Sequence, residues 1–496
     1  MLGNAPEVKL AIVGVSRDCF PIELTRTRLG KLSDALTKIG VRAYICSTMI
    51  ENENDTMAAL AEVYEYGANA AVIYLGNFGP EAPLSIFAEQ FNGPVMTCAA
   101  AEESKNMLID GRGDAFCGML NASYSFGMRH LPVHIPKMPV GLADDLAPKI
   151  KHFVTVARVV LGVLGLKIFG FGPRPQDFFA CNAPIKPLYD LGVEVMENSE
   201  LDLLQFYNQI PDTDPEIMPI AEDMAGELGQ GNTYPDLLPK IAKFELALMK
   251  FYQDNLGSRE FGVFANKCWP AFENAFGFVP CYVNSRLSAR GIPVACEVDL
   301  YGALSEYMCY LASESPATLL DINNTVPRDM IQGTDLMGAL AEDLFMGFHC
   351  GNTPSCQMQS CFMKYQLIMN RLIEPDAPSP DVTRGTLEGR IKPGPTTLFR
   401  LQGTAECSLE SYVCEGNVLD IDPMSFGSIG VFAIPDFARF YRHVLITKHF
   451  PHHGAVAFAH CAGALFDALK LLGVEDINTP LPKMMMYHGE NPFDAA

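Results

Sequence analysis

The chain has 496 residues, 49% hydrophobic and 19% charged, which is the composition of a globular protein and excludes a disordered one. That length is too great for one hydrophobic core, so roughly two to four domains are expected. The net charge of −22 argues against a nucleic-acid or anionic-membrane partner, although one Arg or Lys in a pocket would suffice for an anionic substrate.

The opening MLGNAPEVKLAIVGV enters an apolar strand at Val8–Val15 without the layout of a signal peptide, so a cytoplasmic protein is expected. The 15 cysteines are scattered, odd in number and without a CxxC pair, which reads as buried reduced thiols. Helical spacing over Glu23–Ile39, Thr56–Tyr66 and Ala82–Gln90 alternates with strands at Val41–Ile45, Ala70–Leu75 and Pro94–Cys98. Such alternation predicts a parallel, doubly wound sheet. The loop Ser16–Pro21 follows the first strand, where ligand contacts belong, so Arg17 is a candidate anion or hydroxyl contact and equally a solvated loop arginine.

A second unit starts with a helix at Pro148–Val163, running into a strand at Leu166–Gly172. Phe153–Gly172 is the most apolar long stretch, but Arg158, Lys167 and its glycines exclude a membrane span. Gly170-Phe171-Gly172 lacks the third glycine of a dinucleotide fingerprint, and no nicotinamide cofactor is expected. Ala180–Leu191 reads as helical and Val193–Met196 as a strand. Gln209–Pro235 reads as a polar surface excursion, Leu237–Gln253 as a helix, and Gly262–Ala265 as a strand ending at Asn266-Lys267-Cys268-Trp269-Pro270.

The stretch Gly291–Asn324 organises the rest. Pro293–Cys296 is an apolar run ending at Glu297; Leu300, Leu304, Tyr307, Met308 and Leu311 recur at helical spacing; Ala317–Leu320 is a second apolar run, ending at Asp321. Strand, crossover helix and strand predict two neighbouring parallel strands about 4.8 Å apart in the second sheet, with both carboxylates at one edge. The blander reading is that acidic residues after strands cap helices, which fits Asp299 better than Glu297. Beyond Asp321, Ala341–His349 reads as helical or irregular and Pro375–Val382 is rich in Pro and Asp. Pro395–Gly403, Glu410–Val418 and Gly427–Ile434 are short, Thr-, Phe- and Val-rich segments between turns, an antiparallel pattern. An apolar run at Ala455–Ala459 and a helix near Gly463–Leu472 follow.

Four of the ten histidines lie in Lys448–His460, and His452-His453 follows a proline. Glu297, Asp321 and one of these imidazoles would form an oxygen-rich site with one nitrogen, suited to Mn²⁺, with Mg²⁺ or Co²⁺ as substitutes. His349 in His349-Cys350-Gly351-Asn352 is either turned toward a ligand or buried at a domain junction. Trp269, the only tryptophan, is either a wall for a sugar face or core. No GxSxG, Walker loop, HExxH or kinase signature is present.

The blocks ACEVDLYGAL, LLDIN, FPHHGAVAF, FHCGN and NKCWP resemble the L-fucose isomerase / L-arabinose isomerase superfamily, more closely its L-fucose isomerase side. The resemblance covers most of the chain. It implies an α/β protein with two Rossmann-like doubly wound domains, here 1–147 and 148–324, followed by a mainly antiparallel β domain at 325–496. It implies a metal-dependent aldose–ketose isomerase, with Glu297 and Asp321 as catalytic acid/base groups and, with His453, as metal ligands. His452 is the less favoured ligand, and His349 stands either as a further ligand or as a substrate contact. The substrate is an open-chain sugar of the L-fucose or arabinose type, or a C6-modified hexose such as sulfoquinovose. Arg17, Lys267, Trp269, His349 and Asn352 are the candidate substrate contacts, Arg17 and Lys267 serving an anionic C6 group. The family implies a homohexamer whose site is completed by a neighbouring subunit, for which the Arg17 loop is the candidate. Two rival readings are a sugar-binding or regulatory protein without turnover, and a metal-dependent aldolase or lyase.

Overall fold

A computed structural model describes residues 3–109, 111–181, 184–373 and 382–493. The Pro- and Asp-rich stretch at 375–382 therefore falls almost wholly outside the described residues. The chain divides into two compact units, one made of Pro6–Leu161 with Phe466–Val474, the other of Gly162–Leu465 with segments from both chain ends.

In the first unit, β1 (Leu10–Val15), β2 (Ala43–Ile45), β3 (Ala70–Leu75), β4 (Val95–Ala100) and β5 (Val133–His134) lie in the order 2-1-3-4-5, and β6 (Val140–Gly141) pairs with β4. All pairings are parallel. β1, β3 and β4 are buried along their whole length, as expected of strands covered on both faces. The intervening helices Ile22–Lys38, Glu53–Tyr66 and Glu81–Gln90 fall where the apolar spacing placed them.

The second unit holds two sheets. The smaller is parallel, β7 (Leu166–Phe171), β8 (Glu194–Asn198), β9 (Phe261–Ala265) and β10 (Val294–Ala295), in the order 10-9-7-8. The larger has nine strands: β11 (Thr318–Thr325), β12 (Leu344–His349), β13 (Met358–Tyr365), β14 (Arg384–Ile391), β15 (Gly394–Gly403), β16 (Leu409–Leu419), β17 (Ser428–Ala433), β18 (His453–Ala457) and β19 (Asp476–Asn478). It is mixed. Its pairings are antiparallel except β14 with β17 and β16 with β19.

The organising stretch departs from expectation. β10 pairs only with β9, whereas β11 leaves that sheet and runs antiparallel between β12 and β18. Glu297 and Asp321 are therefore not on neighbouring parallel strands. The connecting helix, Leu300–Ser313, explains the difference. A crossover helix covering one sheet is apolar on one face, but this one is buried on every side from Tyr301 to Ala312. It packs against β9 and β10 of the small sheet and against β15 and β18 of the large one, so the chain enters on one sheet and exits on the other.

Two other segments differ. Ala341–His349 ends in strand β12, central in the large sheet and buried throughout. Gln209–Pro235 contains the helix Ile217–Leu228, whose Ile217, Ala221, Met224 and Leu228 face the core. Pro219 lies in its first turn, where the backbone N–H has no intrahelical partner to lose.

Inside the Leu300–Ser313 helix, Glu306 is buried, with Oε1 accepting from Ser288 Oγ at 3.0 Å and Oε2 unpartnered. Burial pushes its carboxyl up to about 8 from an ordinary 4.5. Between those values the folded chain holds a proton that the unfolded chain has released, so stability falls as pH rises through the window, by on the order of 5 kcal/mol at most. Glu306→Gln should remove that slope. Its melting temperature should exceed the parent's at pH 8 and approach it at pH 5, and equal shifts at both pH values would refute the assignment.

Candidate metal centre and sugar site

Glu297 projects from a tight turn, Cys296–Val298, directly after β10. Glu297 and Val298 are both left-handed, at φ 61° and 57°, a strained conformation for a β-branched valine. The turn is held by Val298 N donating to Asn266 O, and by Asn266 N donating to Ala295 O, both at 3.0 Å. A Cβ at Gly172 would come within 2.8 Å of Val298, so this glycine gives room to the strained turn. The Gly170-Phe171-Gly172 motif thus serves packing beside Glu297.

Asp321 and His453 meet because β11 and β18 pair directly, Asp321 opposite His453. His453 Nε2 lies 3.4 Å from Asp321 Oδ1 and 3.6 Å from Glu297 Oε2. Both His453 Nε2 and Asp321 Oδ1 are buried without a hydrogen-bond partner. His452 is partly exposed, its Nε2 3.8 Å from Glu297 Oε2 and 3.7 Å from Asp321 Oδ1. His349, at the end of β12, is buried with its ring 5.8 Å from that of His453, and its Nε2 is also unpartnered. Three sets of donors that share His453 lie within ion-binding reach: Glu297, His452 and His453; Asp321, His349 and His453; and Cys181, Asp299 and His453, the last on the Nδ1 side of the ring that Asp299 already occupies. Asp321 Oδ1 and the Nε2 atoms of His349 and His453, buried without partners, are atoms that a divalent ion would satisfy, and donors of this kind fit one.

Burial raises the Glu297 carboxyl to about 7, with Asp321 and Asp299 adding to the rise against the opposing pull of His453. Burial acts the same way on Asp321, but the imidazoles of His453, His349 and His452 outweigh it and hold that carboxyl at about 2. The two acids are thus driven apart in proton affinity by their surroundings.

Asp299, read from sequence as a cap, has two functions. Its Oδ1 accepts from Gly302 N at 2.8 Å and caps the buried helix, and its Oδ2 lies 2.8 Å from His453 Nδ1. Arg400, fully buried, donates to both carboxylate oxygens at 2.5 and 3.0 Å and is itself steadied by Gln402. Burial opposes ionisation of Asp299, yet Arg400 and His453 hold it well below the usual carboxylate range. A carboxylate on Nδ1 orients the ring and points Nε2 at Glu297 and Asp321, so that an ion taking the place of the Nε2 proton would meet its lone pair. Nothing in the sequence marked Arg400, which stands alone in a strand 101 residues from its partner.

Of the remaining expected contacts, Trp269 packs edge-on against Phe178, 5.5 Å between centroids, and Phe178 in turn lies edge-on to His452. Asn352 is buried with Oδ1 unpartnered. Lys267 is buried and paired with Glu200 at 3.1 Å, so its charge is already matched. Arg17 belongs to the other unit, where it lies 3.8 Å from Glu81 and over the Phe78 ring. Cys181 touches the centre, its Sγ 3.5 Å from Glu297 Oε2, and was not foreseen. No helix among the described residues is long and apolar enough to cross a membrane.

Residues 11–164 match the family described as fucose/sulfoquinovose isomerase, N-terminal domain, and residues 347–478 match L-fucose isomerase, C-terminal domain. The chain is 25% identical over 308 residues to a sulfoquinovose isomerase of Alkalicoccus urumqiensis, covering 61% of this chain and 62% of that protein. A sulfoquinovose isomerase of Clostridium sp. (strain MSTE9) is 26% identical over 292 residues, 58% of each chain. A third, of Priestia aryabhattai, is 22% identical over 347 residues, 66% of this chain and 68% of that protein. With both terminal domains matched in order, the chain belongs to the fucose/sulfoquinovose isomerase family.

Proposed function

We propose that the chain is a metal-dependent aldose–ketose isomerase acting on an open-chain C6-modified hexose, sulfoquinovose before L-fucose or the arabinoses. The observation that carries this reading is the convergence of Glu297 Oε2 and Asp321 Oδ1 on the unpartnered Nε2 of His453, at 3.6 and 3.4 Å. These three residues would hold the ion, Mn²⁺ by the donor set, with Mg²⁺ or Co²⁺ as substitutes. When bound, a divalent ion supplies Lewis-acid polarisation of the sugar's O1 and O2 and stabilises the charge of a cis-enediolate.

Glu297, set at this point by its left-handed turn, takes the carbon-bound proton at C2 and returns it at C1. Asp321 serves the proton exchange between the two oxygens. His349 is assigned to substrate, because its Nδ1 accepts from Cys350 N at 2.9 Å. An imidazole accepting at Nδ1 carries its neutral-form proton on Nε2, which makes that atom a donor to a sugar oxygen and not a metal ligand. His452, Phe178 and Trp269 form the wall against which the sugar packs, and Asn352 Oδ1 accepts from a hydroxyl. A homohexamer, with the Arg17 loop reaching a neighbouring subunit's site, completes the reading by family resemblance. A sugar-binding protein without turnover has no need of two buried carboxylates set against one imidazole.

The test strips the protein of metal and follows ketose formation with and without Mn²⁺ on sulfoquinovose, L-fucose, D-arabinose and L-arabinose. Turnover of one sugar, raised at least about a hundredfold by Mn²⁺, is expected. A sugar-induced rise in melting temperature without turnover would favour the binding-protein reading, and carbon–carbon cleavage products an aldolase or lyase.

A further inference from the structure

A cavity of about 360 Å³ opens at the carboxyl ends of β7 and β8, where parallel sheets of this kind bind ligands. Gly172, Arg174, Cys181, Glu197 and Asn198 are among the residues around it. Cys181 borders both this cavity and the centre described above: its Sγ lies 3.5 Å from Glu297 Oε2 and 3.9 Å from His453 Nδ1. The loop after β7 carries Arg174 at one end and Cys181 at the other, with Phe178 beside His452 between them.

Arg174 stands apart from the other cations considered for an anion. Lys267 is matched by Glu200, and Arg17 has Glu81 near it. Arg174 has no carboxylate within 4.0 Å among the described residues. Its guanidinium lies over the Phe179 ring at 4.9 Å, and its Nε is buried without a hydrogen-bond partner. A guanidinium stacked on one face keeps its edge donors in plane for an oxyanion, and an unpartnered buried N–H is costly until one arrives.

Resting on the isomerase reading above, with its sulfonated hexose, we propose that Arg174 is the residue that binds the anionic C6 substituent, in this cavity. A sulfonate carries one negative charge spread over three oxygens. Glu197 borders the same cavity, and its carboxylate disfavours a phosphate dianion more than a monoanion. Arg174 is thus the residue that separates a sulfonated hexose from its neutral counterpart.

The experiment compares the Mn²⁺-loaded parent, Arg174→Gln and Arg174→Lys on sulfoquinovose and on 6-deoxyglucose, the same sugar without the sulfonate. Arg174→Gln should raise KM for sulfoquinovose about 30-fold or more while leaving kcat, and the KM for 6-deoxyglucose, within about twofold. Arg174→Lys should fall between, keeping charge but losing the planar fork. Equal effects on both sugars, or none, would overturn the proposal. Glucose 6-phosphate inhibiting more tightly than sulfoquinovose binds would reassign the cavity to phosphate. Should the parent turn over neither sugar, the isomerase reading fails on its own, and calorimetric titration with sulfoquinovose decides the cavity. Binding lost in Arg174→Gln upholds the site, and binding unchanged or absent in both overturns it.

Discussion

Glu297→Gln is expected to lower kcat by about a thousandfold or more while leaving the fold intact. Glutamine keeps the shape of the side chain but neither gives nor takes a proton at neutral pH. It also replaces the carboxylate facing His453 Nε2 by a neutral amide, a weaker donor for a divalent ion, so metal content measured on the purified variant should fall. Stability should hardly change. The carboxyl is already pushed up to about 7 by burial, so the folded state gains little from its charge, and the turn is held by the backbone of Val298 and Asn266. The melting temperature should stay within a few degrees of the parent. Ketose formation at more than about a tenth of the parental rate would remove Glu297 from the chemistry, whatever the metal content. A cooperative unfolding transition alongside lost activity separates this from simple misfolding.

The fold was legible wherever one local period decided the element. β1 and β3 are continuous apolar runs, β7 is one interrupted only by Lys167, and the helices Ile22–Lys38 and Leu238–Asn255 show apolar spacing near 3.6 residues. What could not be read was which sheet a strand joins. Thr318–Thr325 looks the same as an extension of the small parallel sheet or as the antiparallel partner of β18, since strand pairing across 132 positions leaves no local trace. The one usable signal was the helix Leu300–Ser313, whose apolar residues encircle it and so call for a sheet on each side.

The site shows the same division. Glu297, Asp321 and the His452-His453 pair were candidates from the sequence, with His453 favoured over His452 only through the family resemblance, and the structure brings all four together. The geometry that joins them is different from the one expected: Asp321 reaches His453 through antiparallel register, and Glu297 through a left-handed turn. Arg174 and Arg400 escaped notice because an arginine acquires meaning only from what does or does not face it. Asp299 was half legible, since its cap to Gly302 follows from local spacing and its contact with His453 does not.

Arg400→Met should destabilise the protein by about 3–5 kcal/mol, the largest stability effect expected of any single change near the site. Methionine fills much of the arginine's volume, so the loss comes chiefly from the charge left behind. Asp299 would remain buried, with two fewer donors on its oxygens. The pH dependence follows in sign. A carboxyl held low in the folded state contributes stability above its unfolded value near ~3.9, and that contribution is lost as pH falls. Without Arg400 the depression shrinks, so the contribution at neutral pH is smaller and acid unfolding should begin at higher pH than in the parent. Asp299→Asn reads the site as well as stability, through metal affinity. Its amide can donate to His453 Nδ1, which places the ring proton on Nε2 and takes the lone pair away from the ion. Mn²⁺ affinity should fall about 10- to 100-fold. In the double variant the buried charge and its cation are gone together, and the stability loss should be well below the sum of the two single losses. Equal melting temperatures for parent and Arg400→Met at pH 7, or parental Mn²⁺ affinity in Asp299→Asn, would show that the Arg400–Asp299–His453 chain does not hold the centre in place.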